Sequence, residues 1–490
     1  MVNDKQFVIA KKKYFGQGFQ HVTLNDGFVL SCHQDLPVYI NLKYHILLLG
    51  NAWKVTAGTP TEDLENLAER YNTYIPDEEI DLMEQNWCGR YVLIIQGRVY
   101  LDAAGLLGIF FSSEGISSSI LILADIMGLP EKIYQPSPGM TWLPAPLTQY
   151  EEIKRLLPGQ VYNYTDGRLY KRQLVVRNMP ESMNESERIK YFAELFSQSL
   201  RNMVRTVPDK KILIALTGGY DSRTLLALAE YAGIEFECFT LEHENISDSD
   251  TVIPRKLCDE LKYGYTYIPR EKNQYSEKLD RAYKIHTGGL ANDADKLFYA
   301  YGQYQKLTEK YGPSILLRSS IWEIAAFYFQ KFIGDEFDPE SIYGNYNAKG
   351  LVKKSLADYF IWCRDNPQEG LNACNRFYWE QRCGSWLSAI EQSFDILEDC
   401  TSLQPLNSRL LISALLGFPK EERIVKEHQV KMIAYACDKL KDIEFEGKKK
   451  TDFKGSIMRL KKLFWRLHSM GMKKTVQAYI HIIKIQKEKK

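Results

Sequence analysis

The most constraining feature of this sequence is an apolar strand that runs directly into a glycine-containing turn. Residues 212–223 read Ile-Leu-Ile-Ala-Leu-Thr-Gly-Gly-Tyr-Asp-Ser-Arg, and a helical pattern follows. The glycines let backbone N–H groups approach a bound anion, and the first turn of the helix directs its positive end to the same place. A strand, a tight turn and a helix in this order therefore predict an α/β unit that binds a phosphate group.

Each side chain of this turn has a candidate role around pyrophosphate, the anion that best fits the turn. Thr217 and Ser222 offer hydroxyl donors. Asp221 would repel a phosphate by itself, but it is a suitable ligand for the Mg²⁺ that accompanies ATP. Gly218 and Gly219 taken alone would also fit an ordinary tight turn. ATP and Mg²⁺ are the predicted cofactors.

The residues after the turn extend the predicted nucleotide site. Residues 236–241 and 265–268 have strand patterns, and 250–261 has a helical one. This alternation predicts a parallel sheet, whose ligands lie beyond the carboxyl ends of the strands. We therefore expect the adenine ring near Thr240 and Leu241. The full set of residues predicted to bind ATP or pyrophosphate is Leu216, Thr217, Gly218, Gly219, Asp221, Ser222, Arg223, Thr240, Leu241 and Arg382.

The composition is that of an ordinary globular protein. The 490 residues are 45% hydrophobic and 26% charged, enough for two or three domains that each bury a core. A formal net charge of +1 gives no general attraction to nucleic acid, so no nucleic-acid partner is expected. The apolar runs are too short to cross a bilayer. A cytoplasmic location without a transmembrane segment is the expectation.

The nine cysteines are scattered along the chain, and no two of them have Cys-x-x-Cys spacing. The absence of this spacing excludes a zinc or redox site built on a Cys-x-x-Cys pair. An odd number of cysteines in a cytoplasmic chain predicts reduced, mostly buried thiols. Any cofactor metal is therefore expected to arrive with the nucleotide.

Three regions follow from the pattern along the chain. Residues 1–178 consist of short β-rich runs separated by turn residues, for example a hairpin turn at Gln96-Gly97. Residues 185–447 contain the predicted nucleotide site and are mainly helical after the sheet. Residues 448–490 form a basic tail, in which apolar and cationic residues alternate with helical spacing. The tail is predicted to pack on its own domain, with peripheral contact to an acidic lipid surface or a partner as the alternative.

With Thr217 in place of the usual serine, the turn resembles the PP-loop, Ser-Gly-Gly-x-Asp-Ser, of enzymes that split ATP between its α and β phosphates. The sequence has no Gly-x-x-x-x-Gly-Lys-Ser/Thr segment, which excludes a Walker-type phosphate site. In the front region, Cys-Gly-Arg-Tyr-Val-Leu-Ile at 88–94, Leu-Asp-Ala-Ala-Gly at 101–105 and Leu-Leu-Pro-Gly-Gln at 156–160 are similar to motifs of the asparagine synthase family. The resemblance covers most of the chain.

This resemblance implies a fold for each region. The front region, 1–178, would be an α+β glutamine amidotransferase-like domain with an Ntn-hydrolase-like β-rich sandwich. Region 185–447 would be an α/β PP-loop synthetase domain with a parallel sheet of the adenine nucleotide alpha hydrolase-like type. A helical C-terminal region would follow the sheet.

One departure from the family bears on the front domain. Its glutaminases use a cysteine as the first residue of the mature chain, so that the α-amino group acts as the base for the thiol. Here Met1 is followed by Val2, whereas Cys32 and Cys88 are internal. The glutaminase is therefore expected to be inactive, and the front domain is expected to serve as a scaffold or as a docking surface for a partner.

The family branches that share this loss are β-lactam synthetases and lasso-peptide cyclases. The resemblance to them implies an AMP-forming, ATP-dependent carbon–nitrogen ligase that adenylates a carboxylate and joins the acyl group to an amine of a small molecule or peptide. Two alternatives stay open. One is an ammonia-dependent asparagine synthase, and the other is a catalytically weak scaffold in a complex for peptide or surface-polysaccharide biosynthesis with partner proteins.

The resemblance also implies the remaining site residues. The family's second Mg²⁺ ligand, an aspartate, falls at Trp322, so Glu323 is the predicted replacement. Glu380, with Tyr378 nearby on the same helix, is the candidate base for the attacking amine. A surface salt bridge is the alternative for Glu380, and Arg382 would hold a phosphate or pair with a carboxylate. The predicted catalytic lysine is one of two residues, Lys448 or Lys449.

Overall fold

The computed structural model describes residues 4–24, 27–71, 73–135, 140–176, 179–180, 182–244, 246–290, 294–329 and 338–445. The chain divides into two compact units, Met1–Ile443 and Glu444–Lys490. The predicted tail 448–490, with Lys448 and Lys449, lies outside the described residues. No helix in the described parts of the chain is both long and apolar enough to cross a membrane.

The front region is built from two antiparallel six-stranded sheets. Their strand orders are β10-β8-β9-β1-β3-β2 and β12-β11-β7-β6-β5-β4. The strands are β1 (Phe7–Ala10), β2 (Phe19–Thr23), β3 (Val29–His33), β4 (Val38–Asn41), β5 (Ile46–Lys54), β6 (Trp87–Ile95), β7 (Arg98–Leu101), β8 (Phe110–Ser112), β9 (Gly115–Ser117), β10 (Lys154–Arg155), β11 (Gln160–Asn163) and β12 (Arg168–Lys171).

The alternation of side chains along β6 explains the layering of these sheets. Val92 and Ile94 face a core shared by the two sheets. Tyr91 and Leu93, on the opposite face of the strand, pack in a second core with residues of the helix Pro60–Arg70, α1. Because successive side chains point to opposite faces, a strand covered on both faces is apolar throughout. Two short helices complete the front region, α2 (Asp77–Glu84) and α3 (Ile120–Ile126).

The predicted hairpin between β6 and β7 is confirmed. Ile95 is paired with Arg98, which leaves Gln96 and Gly97 as a two-residue loop. Both residues have positive φ angles, 51° and 82° respectively. Positive φ at both central positions is what a tight turn between right-twisted strands requires, and glycine adopts it without a steric penalty. The identity of the front region as an Ntn-hydrolase-like domain stays a prediction.

A parallel five-stranded sheet forms the center of the second region, with strand order β15-β14-β13-β16-β17. This confirms the predicted α/β architecture with a parallel sheet. The strands are β13 (Lys211–Ala215), β14 (Glu237–Leu241), β15 (Tyr265–Ile268), β16 (Ser314–Leu317) and β17 (Cys400–Leu403). The helices up to β16 are α4 (Glu185–Thr206), α5 (Tyr220–Ala232), α6 (Asp248–Leu261), α7 (Glu277–Thr287) and α8 (Ala294–Tyr311).

The part of the chain after β16 is mainly helical, as predicted. A 3-10 turn, Ser320–Ala325, follows β16, and a π-helix, Tyr378–Leu387, lies between two α-helices. Widened π-helical turns occur frequently at functional sites. The α-helices are α9 (Pro339–Tyr346), α10 (Gly350–Asp365), α11 (Ala373–Phe377), α12 (Ser388–Ser393), α13 (Arg409–Leu416), α14 (Lys420–Ile424) and α15 (Glu427–Ala436).

Buried polar contacts join the front sheets to the second region. Arg90 of β6 forms a bidentate pair with Asp395, with nitrogen–oxygen distances of 2.7 and 2.6 Å. Asn407 donates from Nδ2 to Asp102 Oδ1 at 2.8 Å and accepts from the Ala104 amide at 2.8 Å. These side chains are almost fully buried. Since a buried charge is costly unless it is paired, the two regions are held in one arrangement.

The Leu-Pro-Gly turn at 157–159 packs against the π-helix. A Cβ atom at Gly159 would lie 2.2 Å from Glu380 Oε1, and one at Gly384 would lie 2.7 Å from Pro158 Cδ. Neither position has room for a side chain, so each glycine permits a close approach of the turn to the helix. The turn is therefore a structural contact between the two regions.

Arg155 of β10 is buried without a polar partner. Its side chain is 2% exposed, and none of its three guanidinium nitrogens has a hydrogen-bond partner among the described residues. The guanidinium lies 5.2 Å from the center of the Phe110 ring. Burial lowers the pKa of Arg155 to about 9. An unpaired buried cation should cost the folded state free energy.

We expect Arg155→Met to raise the free energy of unfolding by about 1–3 kcal/mol, because it keeps the apolar volume and removes the unpaired charge. Denaturant titration measures this change. Lys154→Met, at the exposed neighboring position of the same strand, is the matched control and should change little. A less stable Arg155→Met protein would show that the guanidinium has a stabilizing partner in solution.

Candidate nucleotide-binding site

The predicted phosphate-binding turn lies at the carboxyl end of β13 and opens to solvent. Leu216 is buried beneath the turn, whereas Thr217 is exposed and Gly219 is partly exposed. Gly219 is the N-cap residue of α5, and no side chain caps this helix. The first amides of α5 therefore have no capping side chain, which is the arrangement that favors an anion at a helix N-terminus.

Hydroxyl groups hold the turn in shape. The Thr217 amide donates to Ser222 Oγ at 3.1 Å, and the two hydroxyl groups are 3.1 Å apart. The Gly219 amide donates to Thr217 Oγ1 at 3.2 Å. Thr217 and Ser222 are therefore engaged within the turn, and their hydroxyl groups close it around the two glycines.

A carboxylate already lies on one of the amides of the turn. The Gly218 amide donates to Asp250 Oδ1 at 2.7 Å. Asp250 belongs to the first turn of α6, where the N-cap residue Ser247 donates to Asp250 Oδ2 at 2.9 Å. The contact shows that the Gly218 amide is accessible to an anionic oxygen. A phosphate oxygen would compete with Asp250 for this donor.

Lys426 joins the two predicted metal ligands. Its ammonium nitrogen lies 3.0 Å from Asp221 Oδ1 and also donates to Glu323 Oε1. Gln429 donates to the same oxygen of Asp221 at 2.8 Å. Lys426 has a left-handed backbone, with φ 60°, and is the residue before α15. The three charged side chains are partly buried, with exposed fractions of 21% for Asp221, 28% for Glu323 and 21% for Lys426.

The charges of this cluster shift one another's ionization. Burial raises the pKa of Glu323, the negative charge of Asp221 raises it further, and Lys426 opposes both without cancelling them. Burial acts to lower the pKa of Lys426, but the two carboxylates outweigh it and the net shift is upward. Lys426 is therefore charged at neutral pH, and the cluster is arranged to hold a cation between two carboxylates.

The same geometry fits a divalent cation. Mg²⁺ is usually bound through one or two carboxylates together with substrate phosphates. Asp221 and Glu323 converge on one cationic atom, and both lie at the open end of the predicted turn. Trp322, by contrast, is buried against α4, with its ring center 5.7 Å from Phe192 and 5.8 Å from Phe196. Glu323 therefore lies beside Asp221, whereas Trp322 does not.

Three other residues that the sequence predicted to bind the nucleotide, Thr240, Leu241 and Arg223, are more or less deeply buried next to the turn. Thr240 is buried, and its hydroxyl donates to the Leu216 carbonyl at 2.8 Å, which ties β14 to the turn. Leu241 ends β14 and is partly exposed. Arg223 is fully buried and donates to the Ile443 carbonyl at 2.5 Å.

Tyr378 lies near the carboxylate cluster. Burial raises its pKa well above the usual value, and Glu323 and Asp221 contribute to the same shift. Its ring center is 5.9 Å from that of Tyr328, which is 51% exposed, and 5.8 Å from that of Phe329. Tyr378 therefore belongs to an aromatic wall beside the site.

Glu380 lies in a different environment. It is fully buried, and its Oε2 accepts from Arg376 Nε at 2.8 Å and from the Tyr359 hydroxyl at 2.8 Å. Its Oε1 has no hydrogen-bond partner among the described residues and lies against Gly159. The structure brings Asp221, Glu323 and Tyr378 together but holds Glu380 in an ion pair at the junction with the front region. Its role as a base stays a prediction.

Sequence reasoning missed Lys426, Gln429 and Asp250. Their signal in the sequence is weak, because a lysine or an acidic residue on a helical surface is common. What distinguishes them is their position at the ends of helices that the sheet brings to the turn. All nine cysteines are buried, and none of them forms a disulfide, as predicted.

No protein-family model matches this chain, and no curated protein is detectably similar to it. Among solved structures, the glutamine-dependent NAD+ synthetase from Acinetobacter baumannii in complex with ADP aligns at 16% identity and TM-score 0.20, over 35% of this chain and 31% of that one. The NH3-dependent NAD synthetase from Campylobacter jejuni aligns at 16% identity and TM-score 0.21, over 30% of this chain and 62% of that one.

The NMN synthetase from Francisella tularensis aligns at 12% identity and TM-score 0.20, over 55% of this chain and all of that one. This chain thus spans less than two thirds of the two NAD synthetases named first. Similarity at this level carries no conclusion about activity. The resemblance to the asparagine synthase family stays a prediction.

We expect Asp250→Ala to tighten pyrophosphate binding about three- to tenfold, because it frees the Gly218 amide from a competing carboxylate. Isothermal titration with pyrophosphate and Mg²⁺ measures this. Asp248→Ala, an exposed acidic residue of the same helical turn, is the matched control. Weaker binding by Asp250→Ala would mean that its carboxylate helps to bind the ligand.

We expect Lys426→Met to lower the free energy of unfolding by about 1–3 kcal/mol at pH 8, because it leaves two carboxylates facing each other without a cation. The pKa of Glu323, already raised, would rise further. Its protonation on acidification relieves the repulsion, so the loss should be smaller at pH 5.

Denaturant titration of wild type and Lys426→Met at the two pH values tests this expectation. Lys439→Met, at an exposed lysine, controls for the removal of one positive charge. An equal loss of stability at pH 5 and pH 8 would contradict the proposed repulsion between the two carboxylates.

Proposed function

We propose that this protein is an ATP-dependent, AMP-forming ligase that joins a carboxylate to an amine. The observation that carries the proposal is the convergence of Asp221 and Glu323 on one cationic nitrogen at the open end of the Thr217–Ser222 turn. Amide donors, a cation and paired carboxylates at a helix N-terminus fit a nucleotide diphosphate bound through Mg²⁺. The position of the turn at the carboxyl end of β13 supports the proposal, because parallel α/β sheets bind ligands beyond the carboxyl ends of their strands.

The first step would be adenylation of the substrate. An oxygen of the acyl substrate's carboxylate attacks the α-phosphorus of ATP, and the bond between that phosphorus and the oxygen bridging to the β-phosphorus breaks. Pyrophosphate leaves toward the Gly218 and Gly219 amides and Lys426. Asp221 and Glu323 would hold Mg²⁺, which neutralizes charge on the leaving group when bound. Charge on pyrophosphate is what the site must stabilize, and preorganized donors do so most effectively.

The second step would form the amide. The amine attacks the acyl carbon of the adenylate and transfers a proton to a base, the role predicted for Glu380. The bond from the acyl carbon to the AMP oxygen breaks, and AMP leaves. Resemblance to the β-lactam synthetases and lasso-peptide cyclases supports an amine other than glutamine nitrogen, as in ring closure within one molecule. An ammonia-dependent asparagine synthase is the alternative of the same class. Addition of ammonium and aspartate separates the two.

One observation favors a scaffold function instead. Asp250 already satisfies the Gly218 amide, and Lys426 already neutralizes Asp221 and Glu323. A chain that had lost ATP could remain folded through these contacts. If the protein is a scaffold, it releases no pyrophosphate from ATP with any carboxylic acid tested.

The experiment is an assay of products with ATP, Mg²⁺, hydroxylamine as the trapping amine and a panel of carboxylic acids. We expect AMP, pyrophosphate and hydroxamate in equal amounts. Asp221→Asn should lower pyrophosphate release about 100-fold or more, because one member of the charge-stabilizing group is removed. Asp209→Asn, in the exposed turn before β13, is the control. Formation of ADP and phosphate, or an unchanged rate in Asp221→Asn, would contradict the proposal.

A further inference from the structure

We propose that Arg382, Trp142 and Trp386 form a subsite that binds an oxyanion, a carboxylate or a phosphate, on the acyl substrate of the proposed ligase. The assignment of the anion to the acyl substrate rests on the proposed function. The binding of an anion at this place rests on the geometry of the three side chains alone. The subsite would select an acid that carries a second anionic group in addition to the carboxylate that reacts.

The guanidinium of Arg382 lies over two indole rings. The carbon at its center lies 3.4 Å from the center of the Trp386 ring and 5.0 Å from that of Trp142. Contacts of this kind involve the face of a guanidinium and leave its five N–H donors available to a ligand. Arg382 has no hydrogen bond or ion pair among the described residues, so the predicted pairing with a core carboxylate is not seen. The guanidinium is partly exposed, so a ligand has access to it.

Trp142 supplies a second, independent observation. Its side chain is 3% exposed, and its Nε1–H has no hydrogen-bond partner among the described residues. Buried polar groups nearly always have a partner, and an indole nitrogen is a donor that requires an acceptor. The guanidinium of Arg382 and the indole N–H of Trp142 therefore both lack a hydrogen-bond acceptor among the described residues. An oxyanion bound at Arg382 would supply the acceptor oxygens that its guanidinium lacks.

Side chains connect this group to the carboxylate cluster. Arg382 follows Tyr378 by four residues on the π-helix. The Arg382 charge opposes the upward shift in the pKa of Tyr378 that burial causes, whereas Glu323 and Asp221 add to it. Tyr378 is therefore within electrostatic range of Arg382 on one side and of the two carboxylates on the other. The subsite lies on the aromatic side of the nucleotide site.

The aromatic wall extends from Tyr378, beside the carboxylate cluster, to Trp142, beside Arg382. Ring centers are 5.8 Å apart for Tyr378 and Phe329, 6.3 Å for Phe329 and Tyr346, and 5.5 Å for Tyr346 and Trp142. Phe329 and Trp142 in this wall are almost fully buried, so the wall connects the two places through packed side chains. The acyl substrate would be an elongated acid, with its reacting carboxylate near the Asp221 cluster and an anionic group at its far end.

Tryptophan fluorescence provides a direct test, because Trp142 and Trp386 flank the proposed anion position. The probes are succinate and methyl phosphate, with the neutral succinamide as control, all at constant ionic strength. We expect a saturable change with at least one anionic probe and none with succinamide. Comparison of succinate with methyl phosphate identifies whether the subsite prefers a carboxylate or a phosphate.

The variants locate the binding. Arg382→Gln should weaken the response to the anionic probes at least tenfold, and Trp142→Phe, which removes the unpaired donor, should weaken it by a smaller factor. Arg364→Gln, at an arginine that is 74% exposed, is the matched control and should bind as wild type does. No saturable response in wild type, or equal affinity in Arg382→Gln, would overturn the proposal and leave the stack as a packing contact.

A parallel measurement separates this proposal from the proposed function. MgATP affinity is measured by isothermal titration for the same proteins. We expect Asp221→Asn to lose MgATP binding while keeping the response to the anionic probe. Loss of both ligands in Arg382→Gln would show a general disturbance of the site and would count against a separate subsite.

Discussion

The ammonium group of Lys426, shared by Asp221 and Glu323, is the interaction on which the site depends. The three residues come from segments that are far apart in sequence: the first turn of α5, the 3-10 turn after β16 and the residue before α15. Each carboxylate alone would be costly at this depth, and together they would repel each other. A cation between them reduces both costs. The helices and strands that deliver these residues are therefore held in register around a single charge.

The surroundings of this cluster divide into a polar and an aromatic side. On the polar side, the turn after β13 presents backbone amides, one of which already contacts Asp250. On the aromatic side, Tyr378 begins a row of rings that ends at Arg382 beside two indoles. A nucleotide diphosphate suits the first environment, and the acyl substrate suits the second. The buried pair of Arg90 with Asp395 holds the front sheets against the second region, and the front region supplies Trp142 to the proposed anion subsite.

Much of the local structure was predictable because several signals agreed. The helix α4 begins where Asn184 and Glu187 form a capping box, and β15 has the bounds predicted from the sequence, 265–268. The placement of Lys426 was not predictable. Lys426 lies between Val425, which follows α14, and the first residue of α15, and a left-handed residue before a helix has no strong sequence signature unless it is glycine. Its two partners are more than 100 residues away along the chain.

The sequence by itself determined the turn at Thr217–Ser222, the parallel sheet that carries it and the presence of Asp221 at the start of the next helix. These features depend on neighboring residues, since a buried strand, glycines and a helix N-terminus suffice to present amides to an anion. The tertiary structure decided which distant side chains complete the site. It brought Lys426 and Glu323 to Asp221, buried Glu380 in a pair with Arg376, and placed Arg382 beside two tryptophans. Ion pairs and ring contacts form between residues that are close in space but far apart in the sequence, so the sequence by itself does not indicate which residues will pair.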